Sequence, residues 1–172
     1  GLPRDLPAAI VISQHMPPVF TGYFAERLNR FGILPVKEVS DGERIEGGVV
    51  YISPGGMHFL LKRDEKENKA ITASLLSVRA EDKYSPSVDI LMTSAAEISG
   101  PGTIGVLLTG MGNDGKRGIR KIKESGGRTI AESESTAIVF GMPKEAILDG
   151  SIDKILPISE IAGEIVERCS IP

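Results

Sequence analysis

Ile104-Gly105-Val106-Leu107-Leu108-Thr109 runs directly into Gly110-Met111-Gly112-Asn113-Asp114-Gly115 and then into Lys116 to Ser125. The first six residues are a short, nearly unbroken apolar run, the pattern of a strand buried on both faces. The glycine-dense six that follow read as a turn, and Lys116 to Ser125 as a helix closed by Gly126-Gly127. Arg128 to Glu132 is the next strand. Strand, helix and strand in this order imply a parallel pair joined by a crossover.

The same alternation appears toward both ends. Ala8 to Ser13 is a second buried strand, stopped by Gln14-His15-Met16-Pro17-Pro18 because neither proline can extend a ladder. From Val19 the pattern turns helical, with Phe20, Tyr23, Phe24 and Leu28 on one face and a start expected just past Thr21-Gly22. Ser85 as N-cap with Pro86 at N1 predicts a helix to about Ser99, burying Val88, Leu91, Met92 and Ala95. A short helix over Lys144 to Leu148, a strand over Lys154 to Leu156 and a last helix capped by Ser159 follow. Between these ends, Val36 to Val78 looks antiparallel: strands at Val36–Val39 and Val49–Ser53, a hairpin partner at Phe59–Lys62, a charged turn at Asp64–Lys69 and a weaker strand at Ala70–Val78. The expected fold is α/β: one domain over residues 1–172, with a mostly parallel twisted sheet, helices on both faces and a small antiparallel hairpin insert.

Composition narrows the function classes. The 172 residues suit one domain able to bury its own core. Twenty Lys and Arg against 23 Asp and Glu leave a net charge of −3, which argues against nucleic acid or an anionic membrane as partner. A single cysteine, Cys169, allows no internal disulfide and suits a reducing cytoplasm. No apolar run nears the roughly 20 residues of a spanning helix, so no membrane insertion is expected. No metal is expected either, because His15 and His58 are the only histidines and no H-E-x-x-H or C-x-x-C spacing occurs.

In open α/β sheets, ligands bind beyond the carboxyl ends of strands. His15 follows the first strand, and Asp114 lies in the turn after Ile104–Thr109. Such an imidazole and carboxylate could form an oriented general-base pair, although His15 reads equally as a structural histidine and Asp114 as a turn residue. Gly110 to Gly115 also matches G-x-G-x-x-G, with Glu132 placed 20 residues beyond Gly112 as a ribose-binding acid would be. Against that dinucleotide reading, Asp114 would set a negative charge beside a pyrophosphate. Glu132-Ser133-Glu134 otherwise reads as a solvated loop, Pro54 to His58 as a hairpin turn, and Gly141-Met142-Pro143 as either a close approach or a helix start.

Six ordered segments together resemble one family. They are Gln14-His15-Met16-Pro17-Pro18 with Phe20-Thr21, Asp41-Gly42, Val50 to His58, Pro86-Ser87-Val88-Asp89, Leu108 to Gly115, and Phe140-Gly141-Met142-Pro143. The chain resembles the catalytic domain of the chemotaxis-receptor methylesterases along essentially its whole length. The resemblance implies a serine hydrolase that cleaves γ-glutamyl methyl esters on receptor cytoplasmic helices, releases methanol and deamidates receptor glutamines, without a cofactor. It makes His15 the catalytic base, Asp114 the residue that orients it, and Met111 the donor of a backbone N–H to the oxyanion. The family often carries an N-terminal phosphoacceptor receiver domain, which the resemblance allows as a further partner in a longer protein.

One element of the family pattern is missing. Its nucleophile is the serine of a Ser-Thr-Gly-Gly turn upstream of the histidine strand, and no such tetrapeptide occurs here. Ser13, Ser53 and Ser87 are poorly placed substitutes. The expectation is that the natural protein extends upstream of Gly1, and that residues 1–172 are an N-terminally incomplete catalytic domain, inactive by themselves. The competing readings are a non-catalytic receptor-binding or regulatory module of the same fold, and a dinucleotide-binding enzyme built on Gly110 to Gly115.

Overall fold

The computed structural model describes residues 1–64 and 70–169. In chain order the elements are β1 (Ile10–Ile12), α1 (Pro18–Phe31), β2 (Val36–Glu38), β3 (Val50–Ile52), β4 (Met57–Arg63), β5 (Ile71–Ser77), α2 (Val88–Ser99), β6 (Ile104–Leu107), α3 (Lys116–Glu124), β7 (Arg128–Glu132), α4 (Met142–Leu148), β8 (Lys154–Leu156) and α5 (Ile158–Cys169). The α/β class is as expected. The described residues form two compact units, one of residues 2–87 and one of residues 88–169.

In residues 2–87, the parallel sheet has the order β1-β3-β2, with Ile10 and Val36 both opposite Val50. Central β3 is buried throughout, which explains its unbroken Val50-Tyr51-Ile52 run. The antiparallel part is smaller than the sequence suggests. β2 and β3 are parallel partners, and among the described residues β4 and β5 form the hairpin, from Met57 opposite Ser77 to Arg63 opposite Ile71, with an antiparallel bridge from Arg44 to Thr72 beside it. Alternation identifies a strand but not its neighbour: the partner of Phe59–Lys62 is Ile71–Ser77, not the expected Val49–Ser53. Most of the expected Asp64–Lys69 turn lies outside the described residues.

Helix α1 also departs from expectation. It begins at Pro18, upstream of Thr21-Gly22, and buries Thr21 and Ala25, while Phe20 and Tyr23 are 56% and 66% exposed. Small residues face inward because α1 lies close to β2, where the Thr21 hydroxyl reaches Glu38 Oε1 at 2.5 Å.

From residue 88 onward, a second parallel sheet has the order β6-β7-β8. Central β7 buries Thr129, Ile130, Ala131 and Glu132. Val88, Leu107, Ile119, Met142 and Ala146 form the core. Three cations of α3 are paired across to other elements: Lys116 with Glu145 and Lys123 with Asp153, each at 3.1 Å, and Arg120 Nε with Asp149 at 2.7 Å. The helix closes as expected, with Gly126 N–H donating to Lys123 O and Gly127 N–H to Ile122 O.

Three helix starts differ from expectation. α2 begins at Val88, two residues past Pro86, and its cap comes from Asp114 rather than Ser85. α4 begins at Met142, with Pro143 in its first turn. α5 begins at Ile158, so Ser159 lies inside it, and Thr136 Oγ1 accepts the Ile158 N–H at 3.0 Å.

Candidate active site

The chain leaves β1 through Ser13 and Gln14, and half-buried His15 sits between that strand and α1. Pro18 takes the first helical position, where its missing N–H costs nothing, and Pro17 as N-cap has no polar side chain, so its carbonyl accepts the Phe20 N–H instead. The turn Pro54-Gly55-Gly56 presses on the backbone just after His15. A Cβ on Gly55 would stand 2.6 Å from Met16 O and Pro17 C, so only glycine permits this approach. Thr21 fastens the contact by accepting the Gly55 N–H at 3.0 Å. The His15 imidazole itself lies on Tyr84, with ring centroids 5.2 Å apart and planes at 14°.

His58, read from sequence as part of a turn, is instead a buried residue of β4, 3% exposed. Its Nδ1 accepts the Ser87 N–H at 3.2 Å, so its proton is on Nε2, which faces Asp82 Oδ2 at 3.0 Å. The Arg79 N–H, then His58, hold the Asp82 carboxyl below the usual range.

Asp114 is buried to 2% exposure, and its carboxylate caps α2: Oδ2 accepts the Val88 N–H at 2.7 Å and Oδ1 the Asp89 N–H at 2.9 Å. Asp89 returns the arrangement. Its Oδ1 accepts the Gly118 N–H at 2.8 Å, and its Oδ2 the Arg117 Nε–H at 2.9 Å. Each helix thus receives its N-terminal carboxylate from the neighbourhood of the other's first turn, where the helix dipole favours negative charge.

The same turn carries Met111. Gly110 is tied on both sides, its N–H donating to Val139 O at 2.9 Å and its carbonyl accepting from Gly141 and Met142. Gly141 therefore makes the close approach, and Met142-Pro143 opens α4. Both alternatives raised for that segment hold. Among the described residues the Met111 N–H has no partner, and its side chain is 81% exposed. A fixed turn with an available N–H is what an oxyanion site requires.

The glycine turn does not suit a dinucleotide. The N-terminus of α3, where a pyrophosphate would sit, already holds the Asp89 carboxylate. Glu132 is not a solvated loop residue either. It is 3% exposed, with Oε2 accepting the Thr109 N–H at 2.8 Å and Oε1 the Thr136 hydroxyl at 2.9 Å, so both oxygens are spent inside the fold. Among the described residues, no three His, Cys, Asp or Glu side chains converge as metal ligands. No helix among them is long and apolar enough to cross a membrane.

A family model for the CheB methylesterase matches residues 1–165. The chain belongs to the CheB methylesterase family. Among the CheB relatives, a "protein-glutamate methylesterase/protein-glutamine glutaminase 3" of Geobacter sulfurreducens is 48% identical over 171 residues, covering 99% of this chain and 45% of that protein. A protein-glutamate methylesterase/protein-glutamine glutaminase of Archaeoglobus fulgidus is 44% identical over 96% of this chain and 46% of its own length. The crystal structure of the Thermotoga maritima CheB methylesterase catalytic domain matches with a TM-score of 0.92 and 44% identity, over 97% of this chain and 87% of that one. The chain spans about half the length of the curated CheB relatives it matches.

Ser13, Ser53 and Ser87 of this CheB-family chain sit in shielded places. Ser53 is fully buried, and the Ser13 and Ser53 hydroxyls are both shielded and without a partner among the described residues. Ser87 is 8% exposed, its N–H committed to His58. Sequence reasoning named His15, Asp114 and Met111 but not Tyr84, Asp89 or Thr21. Asp89 had a signal, lying in Pro86-Ser87-Val88-Asp89. Thr21 had one as well, in Phe20-Thr21, whereas Tyr84 had none beyond its neighbours.

Proposed function

We propose that this chain is the part of a protein-glutamate methylesterase that carries the base and the oxyanion donor, acting on γ-glutamyl methyl esters of chemotaxis-receptor helices. The observation that carries this reading is the 48% identity over 99% of the chain to a relative named for that activity. In the proposed reaction, a serine Oγ attacks the ester carbonyl carbon and His15 takes its proton. Asp114 holds the imidazole in one tautomer and stabilises the imidazolium. The Met111 N–H donates to the oxyanion of the tetrahedral intermediate. Collapse breaks the C–O bond, and His15 returns the proton to the leaving methoxide as methanol. Water then hydrolyses the acyl-enzyme by the same route, regenerating serine and glutamate. With a receptor glutamine, ammonia leaves in place of methanol, in line with the glutaminase in the relatives' names. A receiver domain is proposed as a partner in the longer protein.

The serine is assigned to a Ser-Thr-Gly-Gly segment that these 172 residues do not contain. The test is methanol release from methylated receptor by this chain and by a version extended upstream through that segment. Activity in the extended protein alone is expected. Activity in neither would replace the esterase with a receptor-binding module. Activity in the 172-residue chain would show that the nucleophile lies within it.

A further inference from the structure

We propose that buried His58 is a positioning residue for His15, clamping the segment 79–87 so that Tyr84 backs the His15 imidazole. The inference rests on the role given to His15 above and adds to it a second histidine that the reaction does not use.

Burying an imidazole is costly unless both ring nitrogens find partners. His58 finds both in one short segment, accepting from Ser87 N–H and facing Asp82 Oδ2 at 3.0 Å. Between these anchors lies Tyr84, in a stretch that is neither strand nor helix. The segment is braced further by the Arg79 N–H, which donates to Asp82 Oδ2 at 2.7 Å, and by Lys83 Nζ, 4.9 Å from the Tyr84 ring centroid. Tyr84 delivers its ring face to His15 nearly parallel, at 14°. The torsion that turns an imidazole about its Cβ–Cγ bond is soft, so the side chain alone does not fix the ring plane. A flat aromatic neighbour does, provided that it is itself held. His58 holds it, from the buried side of the same unit.

The chain has only two histidines, so their ring signals are separable in a proton–carbon NMR spectrum of the 172-residue protein. His15 is expected to show a ring-current shift from Tyr84 that Tyr84→Leu abolishes and Tyr84→Phe keeps. Asp82→Ala, which leaves Tyr84 in the sequence and removes a side chain already 15% exposed, is expected to reduce or broaden that shift. In the serine-bearing protein, Tyr84→Leu and Asp82→Ala should each lower kcat by roughly ten- to a hundredfold with KM unchanged, and Tyr84→Phe should restore it. His15 signals that ignore Asp82→Ala would overturn the clamp, even in an active enzyme. Signals that respond as expected in a protein whose serine-bearing form releases no methanol would instead overturn the role of His15.

Discussion

Both oxygens of the Asp114 carboxylate accept backbone N–H groups, so an amide in its place would turn an NH2 toward a donor. Asp114→Asn is therefore expected to weaken the fold as well as the chemistry. The cost should be about 1–3 kcal/mol in urea unfolding, the range for a buried group that loses its partner. In the serine-bearing protein, turnover should fall by about 10⁴ as the imidazole loses its oriented tautomer. Full stability with lost turnover would mean that the cap can be made by an amide, and normal turnover would remove Asp114 from the mechanism. Glu132 stands among Ser and Glu neighbours whose pattern suggests a solvated loop, yet its carboxylate accepts from Thr109, whose N–H lies 23 residues away in sequence.

At the scale of elements, glycine substitutions separate helix propensity from packing. Exchange of glycine for alanine inside a helix ordinarily gains up to about 1 kcal/mol. Gly163 in α5 has nothing within 4 Å of the Cβ it would acquire, so Gly163→Ala should show that gain. In α3, a Cβ on Gly118 would stand 2.5 Å from Met92 Cβ and 3.0 Å from Asp89 O. The sign should reverse there, with a loss of about 1–3 kcal/mol from overpacking α2 against α3. Thermal or urea unfolding of the two variants side by side checks both. Among the described residues the five α-helices and eight strands were legible in the sequence, because burial leaves its period in the residue pattern, while the 3-10 turn Gly100–Gly102 was not. What eluded it was partnership. The start of α2 was misplaced because its capping carboxylate is 25 or 26 residues downstream, and the β2–β3 pairing was missed because an apolar run carries no record of its neighbour. The inward face of α1 was misjudged because close helix–sheet approach rewards Thr21 and Ala25 over the larger Phe20 and Tyr23.

For the whole chain, a net charge of −3 conceals several carboxylates kept ionised by fixed partners. Arg120, then Ser151, bring Asp149 down to about 2, against a burial that raises it. Lys154 and then Arg168 lower Glu164. At Asp153 burial is the largest influence and pushes upward, but Lys123 and Thr129 together outweigh it. Each group is more acidic folded than unfolded, so each adds stability that is complete above the ordinary carboxylate range and lost as the pH falls through the folded value. For Asp149 that window runs from 3.8 down to about 2. Arg120→Met should accordingly be less stable than the parent at pH ~6, with the gap closing toward pH ~2; urea midpoints across that range test it, and a gap that persists at the acid end would refute it. The reciprocal caps of α2 and α3 carry a different consequence. First turns are where helices ordinarily fray, but here neither can loosen without releasing a carboxylate that terminates the other. The amides of Val88, Asp89 and Gly118 should therefore exchange with solvent deuterium as one cooperative group, sharing a single opening free energy. Asp114→Asn should hasten all three, Gly118 included, although the Gly118 amide is bonded to Asp89.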